Sequence, residues 1–351
     1  MQTLCKQAKG VGHMALVDLE IPEPGSGEVQ IAVQAAGICG TDIHIAHDEF
    51  PYNPPVVLGH EFSGIVNRVG TGVTEYRNGD PVMAETTATL CGTCPACQEG
   101  RTNHCLSRSV YGVHVNGGFA EFVSVRQEAV HRLPSNVDHI MGAMTEPLAV
   151  CVRALSERIQ VSSGQVVLVE GPGPIGLLAT MLAKAHGATV IVTGVEKDKA
   201  RLEVAGSLGA DLIVRVDHED LMDAIQPLCG QRGGVDITVE ASGAEAAVES
   251  AFRCTRKGGT IVQLGLSGGP ITIDYSQISF RELNVVGSFA HCWSSFDSAL
   301  TLMDRGIVDV KAILTGVAPL QNWEQSFHRL EQGDGAKILL TPPGSTVEST
   351  L

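Results

Sequence analysis

One segment of this 351-residue chain constrains its fold more than any other, because it joins an apolar strand, a glycine turn and a helix start. The segment runs Val166-Val-Leu-Val-Glu-Gly171-Pro-Gly173-Pro-Ile-Gly176. In this G-x-G-x-x-G pattern the first glycine allows the turn, the second admits a pyrophosphate and the third lets the helix pack on the sheet. A helix N-terminus attracts phosphate groups. The residues predicted to bind a dinucleotide are therefore Gly171, Gly173, Pro174, Ile175 and Gly176; a strand–helix turn without a ligand is the alternative.

The chain around this turn alternates between short apolar strands and helices. Near-continuous apolar strands that alternate with helices are typical of a parallel sheet covered on both faces. The predicted strands are 166–170, 190–193, 212–216, 237–240 and 260–264, and the predicted helices are 174–186, 199–208 and 244–254.

The first 150 residues differ, because short apolar alternations such as Glu28-Val-Gln-Ile-Ala-Val are broken by Gly and Pro. Strands with regular turn signals between them indicate a compact β-barrel. A chain of this length is about twice a typical domain. We therefore predict an α/β protein with two domains, a barrel formed by 1–150 and 288–351 and a doubly wound parallel sheet formed by 151–287. A helix at 295–303 and a strand at 337–341 are expected in the barrel domain, followed by a loosely ordered tail, 342–351.

The charge balance argues against several classes of partner. Lys and Arg total 24 against 39 Asp and Glu, a formal charge of −15. Without a basic stripe the chain is not expected to bind nucleic acid, and an anionic membrane surface would repel it. It has no signal-peptide pattern and no apolar run near the roughly 18 residues of a membrane helix, so a cytoplasmic location is expected. Its ten cysteines are then expected to be thiols or metal ligands.

Four of the cysteines, Cys91, Cys94, Cys97 and Cys105, follow the pattern C-x2-C-x2-C-x7-C. Two-residue gaps let a loop curl so that the thiolates converge on one tetrahedral ion, with Zn–S distances of roughly 2.3 Å. Four thiolate ligands leave no open coordination position, so a zinc ion here is predicted to be structural. An iron–sulfur cluster is the alternative, since the spacing bears some likeness to that of ferredoxins.

A second metal site is suggested by three separate segments, Cys39-Gly-Thr-Asp, Gly59-His60-Glu61 and Thr145-Glu146-Pro. Each is a weak signal alone, because a lone cysteine or histidine is usually a structural residue. Together they offer one thiolate, one imidazole and a carboxylate. Catalytic zinc uses such three-ligand sets and keeps a position for water or substrate.

The order of these motifs, with the four-cysteine segment between the second and third and the glycine turn after them, resembles that of the zinc-containing medium-chain alcohol dehydrogenases. The likeness extends from Gly27-Glu-Val to Lys337-Ile-Leu-Leu and is greatest to the polyol and threonine dehydrogenase branch, which includes sorbitol and sugar-alcohol-phosphate dehydrogenases. It implies a GroES-like β-barrel catalytic domain, with a structural zinc lobe at about 88–108, and a Rossmann domain. It also implies two zinc ions per chain, NAD or NADP as cofactor, and a homotetramer or homodimer.

The resemblance assigns Cys39 and His60 as ligands of the catalytic metal. Glu61 is typically a ligand as well in the polyol branch, and Glu146 lies close behind the metal, where it can coordinate or exchange with water. The metal lowers the pKa of the bound alcohol, so that the alkoxide forms near neutral pH and hydride passes to the nicotinamide.

Two residues that follow Cys39 are candidates for moving the alcohol's proton to solvent. Similar dehydrogenases use a hydroxyl and a histidine as a relay, and Thr41 and His44 have these side chains at suitable positions. The alternative role for Thr41 is the N-cap of a helix that begins near Asp42, for which threonine is well suited.

The choice of cofactor depends on the end of the strand after the glycine turn. An acidic residue there would bind the 2′-hydroxyl of NAD, but this chain has Gly194, and Glu196 comes two residues late. Lys197 and Arg201 follow, which would tolerate a 2′-phosphate, so NAD(P) is expected; in the alternative, these charges belong to a solvated helix start. Family likeness adds further cofactor contacts at Ser242, Leu264, Gly265, Leu266 and Ser288.

We predict a zinc-dependent, NAD(P)-linked dehydrogenase that oxidises a secondary alcohol of a small polyol, polyol phosphate or related substrate to a ketone. Sorbitol dehydrogenases carry an Arg-Tyr pair where this chain has Ala290-His291-Cys-Trp293, which argues against sorbitol itself. His291 or Trp293 is then a candidate for shaping the substrate pocket. A threonine-type 3-dehydrogenase and a non-redox enzyme that uses NAD on the same fold are the alternatives.

Overall fold

The computed structural model describes all 351 residues and divides them into two compact units. The first unit comprises Met1–Glu146 and His291–Leu351, and the second comprises Pro147–Ala290. Within either unit, no helix has the length and apolar character that a membrane span requires.

The first unit is built mainly from antiparallel strands, in which one face packs on the core and the other meets solvent. Its strands are β1 (Gln2–Lys6), β2 (Met14–Asp18), β3 (Glu28–Gly37), β4 (Val56–Val57), β5 (Glu61–Val69), β6 (Pro81–Ala84), β7 (Thr87–Thr89), β8 (Ser109–Val110), β9 (Phe122–Arg126), β10 (Val130–Arg132), β17 (Leu314–Pro319) and β18 (Lys337–Thr341). The largest sheet has the order β10-β6-β5-β3-β18-β17, and β9 also pairs with β3. Strands β2, β1 and β4, in that order, form a smaller sheet, and β7 and β8 form a two-stranded one. Strands β3, β5 and β18 therefore lie at the centre of the unit.

Short helices connect and cover these strands. They are α1 (Gly40–Ala46), α2 (Pro95–Gln98), α3 (His139–Ala143), α10 (Trp293–Asp304) and α11 (Trp323–Glu331), while α4 (Thr145–Val152) carries the chain into the second unit. The apolar core includes the fully buried side chains of Ile31, Phe62 and Phe119. Removing such apolar side chains from water, at about 25 cal/mol per Å² of apolar surface, is the main favourable contribution to the stability of this unit.

The second unit contains a six-stranded sheet in which every neighbouring pair is parallel. Its elements in chain order are β11 (Val166–Glu170), α5 (Pro174–Ala185), β12 (Thr189–Gly194), α6 (Lys199–Ser207), β13 (Leu212–Arg215), α7 (Leu221–Cys229), β14 (Val235–Glu240), α8 (Glu245–Cys254), β15 (Thr255–Gln263), α9 (Ser276–Phe280) and β16 (Asn284–Gly287). The strand order is β13-β12-β11-β14-β15-β16. Successive strands are added on one side of β11 up to β13 and on its other side from β14 onward, so the connection order switches between β11 and β14. In open parallel sheets, ligands bind outside the carboxyl ends of the strands at such a switch point.

The predicted elements of both units are found, with differences at their ends. The strands 166–170 and 337–341 have the predicted bounds, and β15 begins five residues before the predicted 260. Helix α7 and strand β16 were not predicted. The expectation of a loose tail is wrong. The Ser345 hydroxyl donates a hydrogen bond to the Gln34 carbonyl (2.7 Å) and the Thr350 amide donates to the Val317 carbonyl (2.8 Å), so β-strand backbone tethers this polar segment.

The three glycines of the glycine turn serve different purposes. Gly171 has a φ of 99°, a conformation that favours glycine. A Cβ at Gly176 would clash with the Gly171 carbonyl oxygen, whereas a Cβ at Gly173 would meet nothing within 4 Å. Gly176 is therefore required for packing, while Gly173 leaves open space.

We expect Gly176→Ala to lower the free energy of unfolding by about 1–3 kcal/mol, the usual cost of overpacking. Thermal or urea unfolding without cofactor measures this loss. Gly173→Ala is the matched control and should keep the wild-type stability while weakening cofactor binding. Equal stability of the two variants would contradict the packing role of Gly176.

Candidate functional site

Three of the predicted metal ligands come together in the first unit. Cys39 precedes α1 as its N-cap residue, His60 directly precedes β5, and Glu61 is the first residue of β5. The Cys39 thiol and one ligand atom each of His60 and Glu61 lie within 4.8 Å of one another. This mixed set matches the donors that zinc prefers and leaves a fourth coordination position for another ligand. The residues present therefore fit a catalytic zinc ion.

The pairing of β3 with β5 places the Glu61 carboxylate in this group. Gly37, the last residue of β3, is the register partner of Glu61. A Cβ at Gly37 would clash with Glu61 Oε2 and would lie 3.0 Å from Lys337 Cε. The absence of a side chain at Gly37 thus provides the space in which the carboxylate lies.

A buried lysine accompanies Glu61. The Lys337 ammonium forms an ion pair with Glu61 Oε2, although the contact lacks hydrogen-bond geometry. It also donates a hydrogen bond to the Ile38 carbonyl at 2.8 Å. Burial raises the pKa of Glu61, and the Lys337 charge opposes that rise, while Glu146 adds to it. Lys337 therefore compensates part of the negative charge that the fold buries here.

A second buried carboxylate stands behind His60. Asp42 accepts hydrogen bonds from the backbone amides of Cys39 (2.9 Å) and Gly59 (3.3 Å), and its Oδ1 lies 3.7 Å from His60 Nδ1. Burial would lower the pKa of His60, but Asp42, Cys39 and Glu146 raise it well above its ordinary value. The contact is longer than a hydrogen bond, and His60 Nδ1 has no hydrogen-bond partner, so Asp42 acts on the imidazole through its charge. The excess of negative groups around one histidine is also what a divalent cation would neutralise.

Glu146 lies outside the three-residue group and is held by a histidine instead. Its Oε1 is 3.2 Å from His291 Nε2, and that nitrogen is 3.1 Å from Thr86 Oγ1. Burial would raise the pKa of Glu146, but the hydrogen bond and charge of His291, with His60 nearby, lower it. Trp293, the other residue considered for the substrate pocket, stacks on His131 with a ring separation of 3.7 Å.

The proposed relay residues lie on α1. Thr41 Oγ1 is 3.8 Å from Cys39 Sγ, and His44 is an exposed residue whose Nδ1 lies 2.8 Å from Glu49 Oε2. Residues three apart lie on the same helix face. The alternative in which Thr41 caps the helix is wrong, because α1 begins at Gly40 with Cys39 as its N-cap.

The four-cysteine segment forms a compact thiol cluster. The four sulfur atoms lie within 4.8 Å of one another, and all four cysteines are free thiols. The Cys91 Sγ is 3.6 Å from that of Cys105 and 3.9 Å from that of Cys97. A tetrahedron with Zn–S bonds of roughly 2.3 Å has edges of roughly 3.8 Å, so the cluster has the dimensions of a ZnS4 site. Amide groups of Cys94 and Thr93 lower the pKa of Cys91 to about 6, which favours the thiolate that binds metal.

The glycine turn borders a cavity of about 660 Å³ in the second unit. The predicted cofactor residues that line it are Gly171, Gly173, Lys197, Arg201 and Ser242. Pro174 and Ile175 begin α5 directly beside it. Glu196 is not among the lining residues: its carboxylate pairs with Arg215 and lies 3.2 Å from His218 Nε2.

The remaining predicted cofactor contacts lie at the ends of β14, β15 and β16. A Cβ at Gly243 would clash with the Leu266 carbonyl, so the segments after β14 and β15 touch one another beside Ser242. Leu266 is 69% exposed. The Ser288 amide donates to the Gln263 carbonyl at 3.2 Å, and its hydroxyl oxygen is buried without a partner. Leu264 and Gly265 both donate backbone hydrogen bonds to the Glu240 carbonyl.

Sequence interpretation missed three residues that contact the candidate metal ligands or lie beside them. Asp42 belongs to the Cys39-Gly-Thr-Asp motif, yet its spacing suggested only a helix start. Lys337 looked like an ordinary strand residue, and its burial was the missing information. His291 was considered only for the substrate pocket, because nothing in the sequence indicated its contact with Glu146.

We expect Gly37→Ala to displace the Glu61 carboxylate and to weaken zinc at the three-residue site about 10–100-fold, the usual effect of changes around metal ligands. Zinc analysis after dialysis against a mild chelator should fall from two ions per chain to one, because the thiol cluster is unaffected. Gly40→Ala is the control, since its Cβ has open space. Retention of both ions by Gly37→Ala would contradict the role given to this glycine.

Comparison with known proteins assigns the chain to a family. Residues 25–135 match the alcohol dehydrogenase GroES-like domain, and residues 174–305 match the zinc-binding dehydrogenase domain. Sorbitol dehydrogenase of Halalkalibacterium halodurans is 38% identical over 97% of this chain and 99% of its own length. D-arabitol-phosphate dehydrogenase of Enterococcus avium is also 38% identical, over 97% of each chain.

A solved structure shares the fold over nearly the whole chain. It is a zinc-binding dehydrogenase of Sinorhizobium meliloti 1021 bound to NADP, with a TM-score of 0.88 and 33% identity over 97% of this chain and 99% of that one. The GroES-like barrel, the Rossmann sheet and the thiol cluster agree with these matches. The chain belongs to the zinc-containing medium-chain alcohol dehydrogenases, within the group that includes polyol dehydrogenases, and it is an NAD(P)-linked oxidoreductase.

Proposed function

We propose that this enzyme oxidises a secondary alcohol of a small polyol or polyol phosphate to the ketone, with NAD or NADP as hydride acceptor. The observation that carries the proposal is the group of half-buried Cys39 with buried His60 and Glu61, a ligand set with one carboxylate. Its relatives at 38% identity act on sorbitol and on D-arabitol phosphate, which supports a polyhydroxylated substrate. The ligand set and these two relatives together support a polyhydroxylated secondary alcohol as the substrate class. The Ala290–Trp293 segment argues for a substrate other than sorbitol.

The side chains of the first unit divide the reaction between them. Cys39, His60 and Glu61 would hold a zinc ion, whose Lewis acidity would lower the pKa of an alcohol bound beside it. The Asp42 charge, 3.7 Å from His60 Nδ1, compensates positive charge on the imidazole. The Thr41 hydroxyl accepts the proton of the alcohol as it releases its own, and His44, three residues further on α1, is the final acceptor, whose exposed ring exchanges the proton with water. The hydrogen bond between His44 Nδ1 and Glu49 leaves Nε2 available for that exchange.

We expect reduction of NAD or NADP in a screen of polyols, polyol phosphates, threonine and simple alcohols to be fastest with a polyol or its phosphate. Cys39→Ser should lower kcat/KM about a thousandfold, because several kcal/mol of transition-state stabilisation by the metal are lost. Absorbance of the reduced nicotinamide measures both.

Cys229→Ser is the matched control, since Cys229 is a buried thiol outside both thiol-containing groups. Full turnover by Cys39→Ser would contradict the metal-assisted mechanism. Preference for threonine would indicate the related 3-dehydrogenase activity, and product formation without net cofactor reduction would indicate a non-redox enzyme.

We also propose that the enzyme accepts NADP. Gly194 ends β12 without an acidic side chain, and Glu196 is drawn away by Arg215 and His218. Lys197 and Arg201 line the cavity instead, and the side chain of Arg201 is 17% exposed, 3.9 Å from Asp198. Charged guanidinium and ammonium groups suit a 2′-phosphate. The structure of the Sinorhizobium meliloti relative was solved with NADP bound, which supports NADP as a cofactor of this enzyme.

We expect Gly194→Asp to lower kcat/KM for NADP at least about tenfold relative to NAD, because the new carboxylate repels the 2′-phosphate. A Cβ at this position would lie 3.1 Å from Pro172 Cγ and 3.2 Å from Asp198 Cβ, so some crowding is expected. Gly194→Ala reproduces that crowding without charge and should affect both cofactors equally. Strict NAD dependence of the wild-type enzyme would contradict the proposal.

A second copy of the chain is the proposed protein partner. Strand β16 is an edge strand of the parallel sheet, and edge strands are templates for pairing. Its Val285 is 45% exposed, and the neighbouring α9 exposes Phe280. Pairing of two such edges would cover this apolar surface and form a dimer, the building block of a tetramer.

A further inference from the structure

The second unit contains a buried carboxyl group for which the reaction described above has no use. Glu170 is the last residue of β11 and immediately precedes Gly171 of the glycine turn. It is 2% exposed, and it lines the same cavity as Gly171 and Gly173. Its Oε2 is buried without a hydrogen-bond partner. A charged carboxylate in this environment would lack the donors that it needs.

The neighbouring strand carries a second carboxyl group with very different surroundings. Glu240 is the register partner of Glu170 on β14. Its Oε1 accepts hydrogen bonds from the Ser242 amide and hydroxyl and from the Gly243 amide, and its Oε2 accepts one from Gln263 Nε2 at 2.5 Å. Donors that would stabilise a carboxylate are therefore concentrated on Glu240. The two neighbouring carboxyl groups therefore differ sharply in the hydrogen-bond donors that surround them.

The other groups that face Glu170 do not replace those donors. On α8, Ser250 offers one hydrogen bond, Cys254 is a neutral thiol, and the Arg253 charge is shared with Asp220 at 3.7 Å. On β12, the register partner is the uncharged Thr193. Burial raises the pKa of Glu170 to about 8; Glu240 adds to the rise, and Ser250 and Arg253 oppose it.

We propose that Glu170 is a cofactor-binding residue whose carboxyl group must be neutral for the dinucleotide to bind, so that its ionisation weakens cofactor affinity. The inference rests on the proposal that this cavity holds the cofactor. The pyrophosphate carries negative charge and would lie at the turn that begins with the next residue, Gly171. An ionised Glu170 would add like charge at that point in a largely buried environment, where Coulomb repulsion is weakly screened.

The expected pH dependence follows from the raised pKa of Glu170. Below pH about 7 the group is neutral in the folded protein and affinity is at its maximum. If only the neutral form binds, the apparent Kd rises as the neutral fraction falls, by about tenfold between pH 7 and pH 9. The same titration affects folding: the neutral form favours the folded state, and this contribution is lost as pH rises from the ordinary pKa of 4.5 to about 8.

The test measures NADH binding to the zinc-loaded enzyme without substrate, by fluorescence titration between pH of about 6 and about 9.5. NADH is preferred because it lacks the titrating 2′-phosphate. Wild-type Kd should rise about tenfold between pH 7 and 9. Glu170→Gln, which keeps the shape of a neutral carboxyl, should bind with nearly constant Kd over this range. Glu219→Gln is the control, since Glu219 is an exposed carboxyl in the wall of the same cavity, and it should keep the wild-type rise.

Calorimetry in buffers of different ionisation enthalpy provides a second readout that a merely structural role would not change. Because binding selects the neutral form, NADH should take up about half a proton at pH 8 in the wild type and none in Glu170→Gln. A flat wild-type Kd, or a rise retained in Glu170→Gln, would overturn the role of Glu170 while leaving the cofactor site intact. Absence of NADH binding at every pH would overturn the cofactor site and this inference together.

Discussion

The candidate metal site of the first unit depends on the compensation of three buried carboxylates. Asp42, Glu61 and Glu146 are all nearly inaccessible to water, and an unpaired buried charge is too costly to persist. Each carboxylate has a different partner. Two backbone amides contact Asp42, the Lys337 ammonium contacts Glu61, and His291 contacts Glu146. Removing one partner from such a buried pair costs roughly 3–5 kcal/mol, because the remaining charge stays uncompensated. The negative charge that remains is what makes this region suitable for a divalent metal.

This compensation explains why distant segments of the chain meet at one place. The final strand β18 runs beside β3, which brings Lys337 to a carboxylate almost 280 positions earlier in the sequence. The segment that begins at His291 returns to the first unit and brings its imidazole to Glu146. The C-terminal strand thus supports the candidate metal site through Lys337, even though it contributes no proposed ligand.

The second unit applies a different constraint, which is the direction of its strands. Because all neighbouring strands are parallel, their carboxyl ends lie at one edge of the sheet, and Glu170, Gly194 and Glu240 come from three of them. A pyrophosphate site at this edge needs amide donors and room for close approach, which the glycine turn provides. It also needs an environment without excess negative charge. Hydrogen-bond donors surround the Glu240 carboxyl group, whereas Glu170 Oε2 has no partner, so the two acidic residues at this edge lie in unequal environments.

Much of the architecture was predictable from local patterns. The glycine turn between β11 and α5 and the alternation of apolar strands with helices specified the parallel sheet, because both follow from neighbouring residues. Helix α7 escaped prediction although Asp220 caps it and Leu221 and Ile225 repeat at helical spacing, since the segment is short and contains Pro227. Strand β16 escaped because an edge strand with exposed residues lacks the continuous apolar pattern of its neighbours.

The sequence by itself determined which residues could bind zinc, since four thiols within one short segment and the Cys39, His60 and Glu61 motifs carry the necessary donor atoms. It also determined the cofactor turn, because a turn is a local structure. Only the tertiary structure decided how the donor atoms are grouped. It joined Cys39, His60 and Glu61, held Glu146 on His291, paired Lys337 with Glu61 and buried Glu170 beside the turn. The reason is physical: spacing along a chain reports local geometry, whereas burial and charge compensation depend on segments that meet only when strands pair.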